Sequence, residues 1–334
     1  MKKAVLAGVL AAATIAAAAA AQTTTTTLTV YSGRSQSLVD PIVKQFEKDT
    51  GIKVQVRYGT DAALLAAIQE EGARSPADIF WANTSGALGA ASRAKLLTNL
   101  PASLRGKSAA FTPDSGQWTP LSVRFRVLAY NSSKVKPEQL PTSVLDLPKL
   151  TQFKGRIGWT PTYSSFQDFL GALITLKGEA AARQWLEGMK ALQPKSYASS
   201  NVQMMEAIRG GEIDLALTNH YYIQRFVKSG APIGTHYFAA GDPGSLALVT
   251  GAGVLKSSKK GVSAQRLVRY LLDAKAQQYF TSEVFEYPVS GNVIVPGTLL
   301  PLNDALNRSP KIDQERIGDT LEQAQKLLRE AGLI

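Results

Sequence analysis

The sequence predicts an α/β protein of two domains, in which parallel sheets are covered by helices. Short apolar runs with strand periodicity alternate with longer runs of helical period from residue 28 onward. About 310 residues remain once an N-terminal segment is set aside, beyond the size at which one core usually splits in two. Gly33, Gly51 and Gly72 close successive elements, as expected where a strand or helix stops.

That N-terminal segment reads as a cleavable signal peptide over residues 1–21. Lys2 and Lys3 form a basic start, residues 4–20 are small and apolar, and Ala19-Ala20-Ala21 before Gln22 fits a cleavage site. A membrane anchor is the weaker reading, because the segment is rich in Ala rather than Leu and no stop-transfer pattern follows. The protein is therefore expected outside the cytoplasm, periplasmic or secreted. The chain of 334 residues has no cysteine, which excludes disulfides and a lipid-modified N-terminal Cys. Its 37 Lys and Arg outnumber 26 Asp and Glu. The basic residues are dispersed apart from Lys256, Lys259 and Lys260, so with export they argue for a solvated surface and against a nucleic-acid partner.

The first elements read β-α-β-α-β: strands at 28–31, 52–58 and 77–81, and helices at 38–50 and 62–71, the second capped by Asp61. A β-like run covers 123–130. A second α/β series follows: a strand at 156–159, helices around 169–174, 181–192 and 202–208, and a strand at 213–217. A short strand at 254–255, one long helix at 264–280 and a terminal helix at 320–330 complete the pattern. Parallel strands with helical crossovers are the economical architecture.

Catalytic motifs are scarce. There are two histidines, His220 and His236, and no H-E-x-x-H, G-x-S-x-G or phosphate-binding loop. An enzyme is not expected. What the strand ends do collect is a set of phenols, hydroxyls, amides and arginines. Tyr31 ends the first strand and Asn83 and Thr84 follow the third. Tyr163, Ser164 and Ser165 precede one helix and Asn201 another. Asn219, Tyr221 and Tyr222 lie at a strand-to-helix junction. Adjacent phenols there can converge if the backbone turns between them, at the edge where open α/β sheets bind ligands. Arg124 and Arg126 lie on the crossing run, where alternation is expected to turn one toward a cleft and the other to the surface.

Several phenols beside an anion pocket suit a hard, highly charged cation. Three phenolates balance the three charges of ferric iron, and an anion such as carbonate can fill remaining positions, offset by Arg124 and a helix N-terminus. Each residue also has a plain structural reading: a packed ring for Tyr31 or Tyr163, a cap or turn for Asn201 and Asn219.

Five stretches carry a family resemblance across the mature chain: L-T-V-Y-S-G-R from Leu28, E-E-G-A-R-S-P-A-D-I-F from Glu70, R-F-R-V-L-A-Y-N from Arg124, the run from Gly211 to Asn219-His220-Tyr221-Tyr222, and G-A-G-V-L-K from Gly251. The sequence resembles the periplasmic ferric-ion-binding proteins of bacterial ABC importers, a branch of the type II periplasmic binding proteins. The resemblance implies two lobes with mixed, mainly parallel sheets and a hinge: residues 28–125 with 250–300, residues 126–249, and a C-terminal helical segment, 301–334, packing across both. It implies that Tyr221 and Tyr222 ligate Fe3+, that Arg124 faces the accompanying anion, and that Ser164, Ser165 and Asn201 contact it; Asn83, Thr84 and Asn219, from the strand ends, are expected to bind the anion too. The family's His and Glu ligands fall at Ser35 and Asn83, so the chain is similar to the subgroup that uses tyrosines with carbonate. Tyr31 is the first choice as third phenol and Tyr163 the second. The implied partner is an ABC permease, served by a monomer. The alternative within the same fold is a receptor for a small organic anion, such as a phosphonate or a thiamine-like ligand.

Overall fold

The computed structural model describes residues 26–105, 111–198 and 200–334; the expected signal peptide lies outside them. In the first part of the chain, strand β1 (Thr27–Ser32), helix α1 (Gln36–Thr50), β2 (Lys53–Tyr58), α2 (Asp61–Glu71), β3 (Ile79–Ala82) and α3 (Ser85–Arg93) follow the expected alternation. α1 stops at Gly51, which takes the left-handed conformation at φ 73°. α2 is capped by Thr60, whose side chain accepts from the amide of Ala63, and not by Asp61. The Asp61 carboxylate reaches away from its own helix to the amides of Asn83 and Thr84.

Strand β4 (Trp118–Asn131) is longer than the sequence pattern suggested, because it absorbs Pro120 at an irregularity in its pairing. Then come β5 (Ile157–Trp159), α4 (Ser164–Lys177), α5 (Glu179–Ala191), β6 (Lys195–Ser196), α6 (Asn201–Arg209), β7 (Leu215–Asn219), α7 (His220–Lys228), β8 (Ile233–His236) and β9 (Ala247–Val254). The expected short strand at 254–255 is the end of β9, whose glycines mask its strand signal. The expected long helix is two: α8 (Gly261–Leu272) and α9 (Ala274–Ser282), broken at Asp273. β10 (Tyr287–Pro288), α10 (Leu302–Arg308) and α11 (Leu321–Glu330) end the chain.

The strands form one hydrogen-bonded path in the order β2-β1-β3-β9-β4-β7-β5-β6, with β8 and β10 also on β4. β1 pairs in parallel with β2 and β3, and β5 with β6 and β7, while every pairing of β4 and β9 is antiparallel. β4 changes partner half-way. Phe125 faces Ala247 of β9, and the next residue, Arg126, faces Asn219 of β7. The strand therefore belongs to two sheet halves.

One apolar cluster gathers Val30, Phe80, Trp81, Leu88 and Val249 of the first half and runs on into the second through Met204, Ile208, Ile213 and Ile223. A separate second cluster, with Leu128, Trp159, Phe166, Phe169, Trp185 and Leu217, lies in the second half. The terminal helix α11 adds Ala324, Leu327 and Leu328 to the second cluster. It packs on α4 rather than across both halves. The segment that does span them is the 3-10 turn Arg316–Thr320, which touches both α3 and α4.

That turn comes close because Gly318 has no side chain. A Cβ there would lie 2.5 Å from the carbonyl oxygen of Gly86 and 3.1 Å from the amide of Ala90, both backbone atoms that cannot swing aside. Gly318→Ala is expected to cost about 1–3 kcal/mol of stability, as overpacking does. Gly297→Ala, where a Cβ meets nothing within 4 Å, serves as control and should be near neutral. Equal urea midpoints for the two variants would show that the turn yields freely.

Candidate functional site

β7 runs into α7 without a loop. Asn219 holds the extended cap position (φ −107°, ψ 143°), and His220 opens the helix. The change of direction thus precedes the phenols instead of falling between them, and Tyr221 and Tyr222 share the first turn of α7. Their ring centroids lie 4.2 Å apart with planes inclined by 33°. Both residues are buried. The Tyr222 hydroxyl meets that of Tyr163 at 3.1 Å, brought in by the cap position of α4. The Tyr221 hydroxyl finds no partner at hydrogen-bonding geometry among the described residues. Three phenols therefore converge.

Tyr31 does not join them. Its hydroxyl donates to Glu71 (2.8 Å) and accepts from Arg57 (2.9 Å), whose guanidinium also lies over the ring. Glu71 ends α2, whereas Asp61 at the other end of that helix holds Asn83. Ten residues of helix rise about 15 Å. Tyr31 is thus held about a helix length from the cluster, and the phenol that lies beside Tyr222 is Tyr163.

Three guanidiniums are buried around the phenols. Arg34 donates to Asn83 Oδ1 (3.2 Å) and forms an ion pair with Glu286 (2.8 Å). Arg124 donates to the carbonyl of Asn83 and to Thr250 Oγ1. Arg126 donates to Asn219 Oδ1 (3.1 Å) and reaches Ser165 Oγ (3.5 Å), while its Nε and Nη2 have no partner among the described residues. Arg126 is 1% exposed, not at the surface as expected. Residues two apart on a strand share a face, so both arginines of the R-F-R run point the same way.

The remaining expected residues are gathered too, but with different duties. Asn83 donates from Nδ2 to Ser164 Oγ (2.7 Å), a bond between the two sheet halves. Thr84 is held by Asp61 through its amide and hydroxyl. Asn219 Nδ2 donates to Ser165 Oγ (3.2 Å). Asn201 accepts from Thr218 and leaves its Nδ2 without a partner among the described residues. α4 starts with no capping side chain and no acidic residue in its first turn; the Phe166 and Gln167 amides donate to the Tyr163 carbonyl, which leaves those of Ser164 and Ser165 to face an anion.

Burial governs the ionisation of this cluster. It raises the Tyr163 and Tyr222 hydroxyls above the ordinary phenol range; the charge of neighbouring phenolates adds to this, while Arg124 and Arg34 pull Tyr163 back. Burial and Arg124 together pull Arg126 down to about 9. Burial alone would raise Glu286, but the charges of Arg34 and Arg124 hold it below its usual range. His220 is kept neutral, lowered to about 4 by burial. Its Nδ1 accepts from the Phe125 amide (3.1 Å), so Nε2 carries the proton donated to the Phe285 carbonyl (2.8 Å).

Among the described residues, no three His, Asp or Glu side chains gather into a metal-holding group. The oxygen donors that do converge are phenols. Such a set can hold a hard cation once its protons are displaced, with an anion beside Arg126. Sequence reading missed Arg34, Glu286, Asp61 and Asp168. Glu286 left a usable signal: a lone carboxylate in the apolar run V-F-E-Y-P-V calls for a buried partner.

A family model described as bacterial extracellular solute-binding protein matches residues 60–309. The chain belongs to that family. It is 35% identical over 314 residues to the major ferric iron-binding protein of Neisseria meningitidis serogroup B, covering 92% of this chain and 93% of that one. It is 35% identical over 316 residues to the Fe(3+)-binding periplasmic protein of Serratia marcescens, covering 92% and 90%. Iron-bound HitA from Pseudomonas aeruginosa superposes with a TM-score of 0.86 at 36% identity, over 92% of this chain and all 100% of that one. A Trichodesmium protein in complex with iron and citrate superposes at 0.74 with 26% identity, over 92% and 100%. The fold is thus the mixed α/β, two-lobed one of periplasmic binding proteins, and the family is one of solute binding rather than catalysis. No helix among the described residues is long and apolar enough to cross a membrane.

Asp61 offers a test of this electrostatic arrangement. Burial raises its carboxyl to about 6, against hydrogen bonds from Asn83 and Thr84 and the charge of Arg124. The unfolded value is about 3.9, so the folded state holds the proton longer. The stabilising contribution is complete below the unfolded value and is lost as pH rises through the folded one. Between about pH 4 and pH 7, the wild type should lose stability relative to Asp61→Asn, measured by urea unfolding. A gap that stays constant with pH would refute the assignment.

Proposed function

We propose that this protein captures ferric iron outside the cytoplasm and delivers it to an ABC permease. Tyr163, Tyr221 and Tyr222 supply phenolates to the ion. The observation that carries this reading is the convergence of the three buried phenols amid Arg34, Arg124 and Arg126. Ferric relatives over more than nine-tenths of the chain support it.

A trivalent cation supplies the free energy that displaces the phenolic protons, and the three negative charges formed balance it. The anion, carbonate in this reading, sits beside Arg126, Ser165, Asn219 and the open start of α4. Arg126 takes this role better than Arg124, because both terminal nitrogens of Arg124 are tied to Thr250 and Asn83 and only its Nε lacks a partner among the described residues, whereas Arg126 leaves both Nε and Nη2 without one. Ser164 and Asn201 border the same place; Asn83 and Thr84 act from the facing lobe. The proposed lobes are residues 28–125 with 250–300 and residues 126–249; the partner change on β4 supports a division at 125/126, while β9 pairs with the first lobe from Ala247 onward. Hinge closure between them buries the ion. The mature protein acts as a monomer at the permease.

Titrating the metal-free protein with a ferric chelate and bicarbonate should raise a visible phenolate-to-iron band that saturates at one equivalent. Tyr163→Phe, Tyr221→Phe and Tyr222→Phe should each weaken binding by at least about tenfold and diminish the band, and Tyr31→Phe should leave both unchanged. Binding should weaken as pH falls, since protons compete for the phenolates. Arg126→Gln should blunt the dependence on bicarbonate. A protein that gives no band with bicarbonate or citrate, yet binds phosphonates or thiamine-like ligands, would replace this reading with the organic-anion one.

A further inference from the structure

Helix α3 begins at the face where the lobes meet, and it begins without a cap of its own. Thr84 at the cap position makes no side-chain bond to the helix amides, and the first turn contains no acidic residue. Two carboxylates from other helices take over. Asp61 of α2 accepts from the amides of Asn83 (2.9 Å) and Thr84 (3.0 Å). Asp168 of α4 accepts from the amide of Gly86 (3.1 Å).

The two differ in where they come from. Asp61 belongs to the same lobe as α3, whereas Asp168 is carried by the other. On α4 it stands four residues after Ser164, on the same helix face. α4 thus presents two acceptors in register to the start of α3: Ser164 to the Asn83 side chain and Asp168 to the Gly86 amide. The fit depends on Gly86, because a Cβ there would lie 2.5 Å from Asp168 Oδ1. Asp168 is 1% exposed, and its Oδ1 has no partner among the described residues.

We propose that Asp168 is a closure residue: it caps α3 only while the lobes are together, and so sets how long the cargo stays bound. The proposal takes the identity of that cargo from the ferric reading but not its geometry. A helix amide without a partner is costly when buried, and a carboxyl oxygen at the N-terminus satisfies it while favouring the helix dipole. Opening must break this bond and the Asn83–Ser164 bond together. Asp168 is a positioning residue. Among the described residues it hydrogen-bonds to no phenol, and it acts through Gly86 on the segment whose Asn83 carbonyl holds Arg124.

The absence of cysteine makes a direct test simple. Lys44→Cys on α1 and Glu187→Cys on α5, both exposed, place one spin label on each lobe of the full mature chain. Pulsed electron resonance then reads the distance between labels in the metal-free protein and with a ferric chelate plus bicarbonate. Against the Asp168 parent, Asp168→Ala should lower the closed population by about fivefold, the scale of a lost cap. Asp168→Asn, which can still accept the Gly86 bond, should recover part of it. Gly86→Ala should act like Asp168→Ala from the opposite side. Release of iron to a competing chelator should quicken in the same order with the visible band unmoved. Melting of the metal-free variants should change less than that of the loaded ones, whereas a purely structural role would lower both alike.

Equal closed populations in all variants would overturn the proposal, as would a parent that shows no closed distance in either state. A parent with no visible band would refute the ferric reading alone, because the metal-free distances still decide the role of Asp168.

Discussion

One strand serves two sheets, and most of the molecule is arranged around that constraint. Up to Phe125, β4 pairs with β9, and from Arg126 it pairs with β7. Backbone hydrogen bonds must be satisfied on both sides of the change of partner, and the structure recruits His220 for part of it, with the Phe125 amide on one ring nitrogen and the Phe285 carbonyl on the other. The residue that completes the crossing is thus adjacent in sequence to the two phenols. Crossing geometry and site geometry are not independent, since a shift of β4 along its partners would carry Arg124, Arg126 and the start of α7 with it.

The second theme is the burial of charge. Arg34, Arg124 and Arg126 are almost fully enclosed, and among the described residues only Arg34 forms an ion pair with a carboxylate. Isolated buried cations are costly. Arg124 answers with a carbonyl and a hydroxyl, and Arg126 with Asn219, Ser165 and the face of Phe169 at 5.9 Å. The incomplete satisfaction of Arg126 is the kind of local conflict that foldable sequences tolerate where ligands bind.

Much of this was legible in the sequence, for reasons that can be named. The alternation of elements through α3 was readable because Ile52, Val54, Val56 and Tyr58 alternate and the helices stop at glycines. The Tyr221-Tyr222 pair stood out because adjacent phenols at a strand-to-helix junction are chemically conspicuous. What escaped reading depended on distance rather than composition. Tyr31 and Tyr163 both end strand-side segments, and only the fold shows that one faces Glu71 and the other Tyr222. The expectation that one of Arg124 and Arg126 turns to the surface fails because residues two apart on a strand share a face. β9 was seen only at its end, because Thr250, Gly251 and Gly253 lack the apolar side chains that advertise a buried strand.

The binding of both His220 nitrogens to backbone has one more consequence. Imidazole is the donor that zinc, copper and nickel compete for most effectively, and affinity across the divalent ions rises toward copper whatever the protein does. Here the imidazole nearest the phenols is withheld: one nitrogen is filled by an amide proton and the other spends its own on a carbonyl. In the ferric reading proposed above, a borderline-soft divalent ion arriving at the cluster would meet no open nitrogen on His220, and its smaller charge would do less to displace phenolic protons. Selectivity for a hard trivalent ion would then come from what the fold keeps out of reach as much as from what it offers.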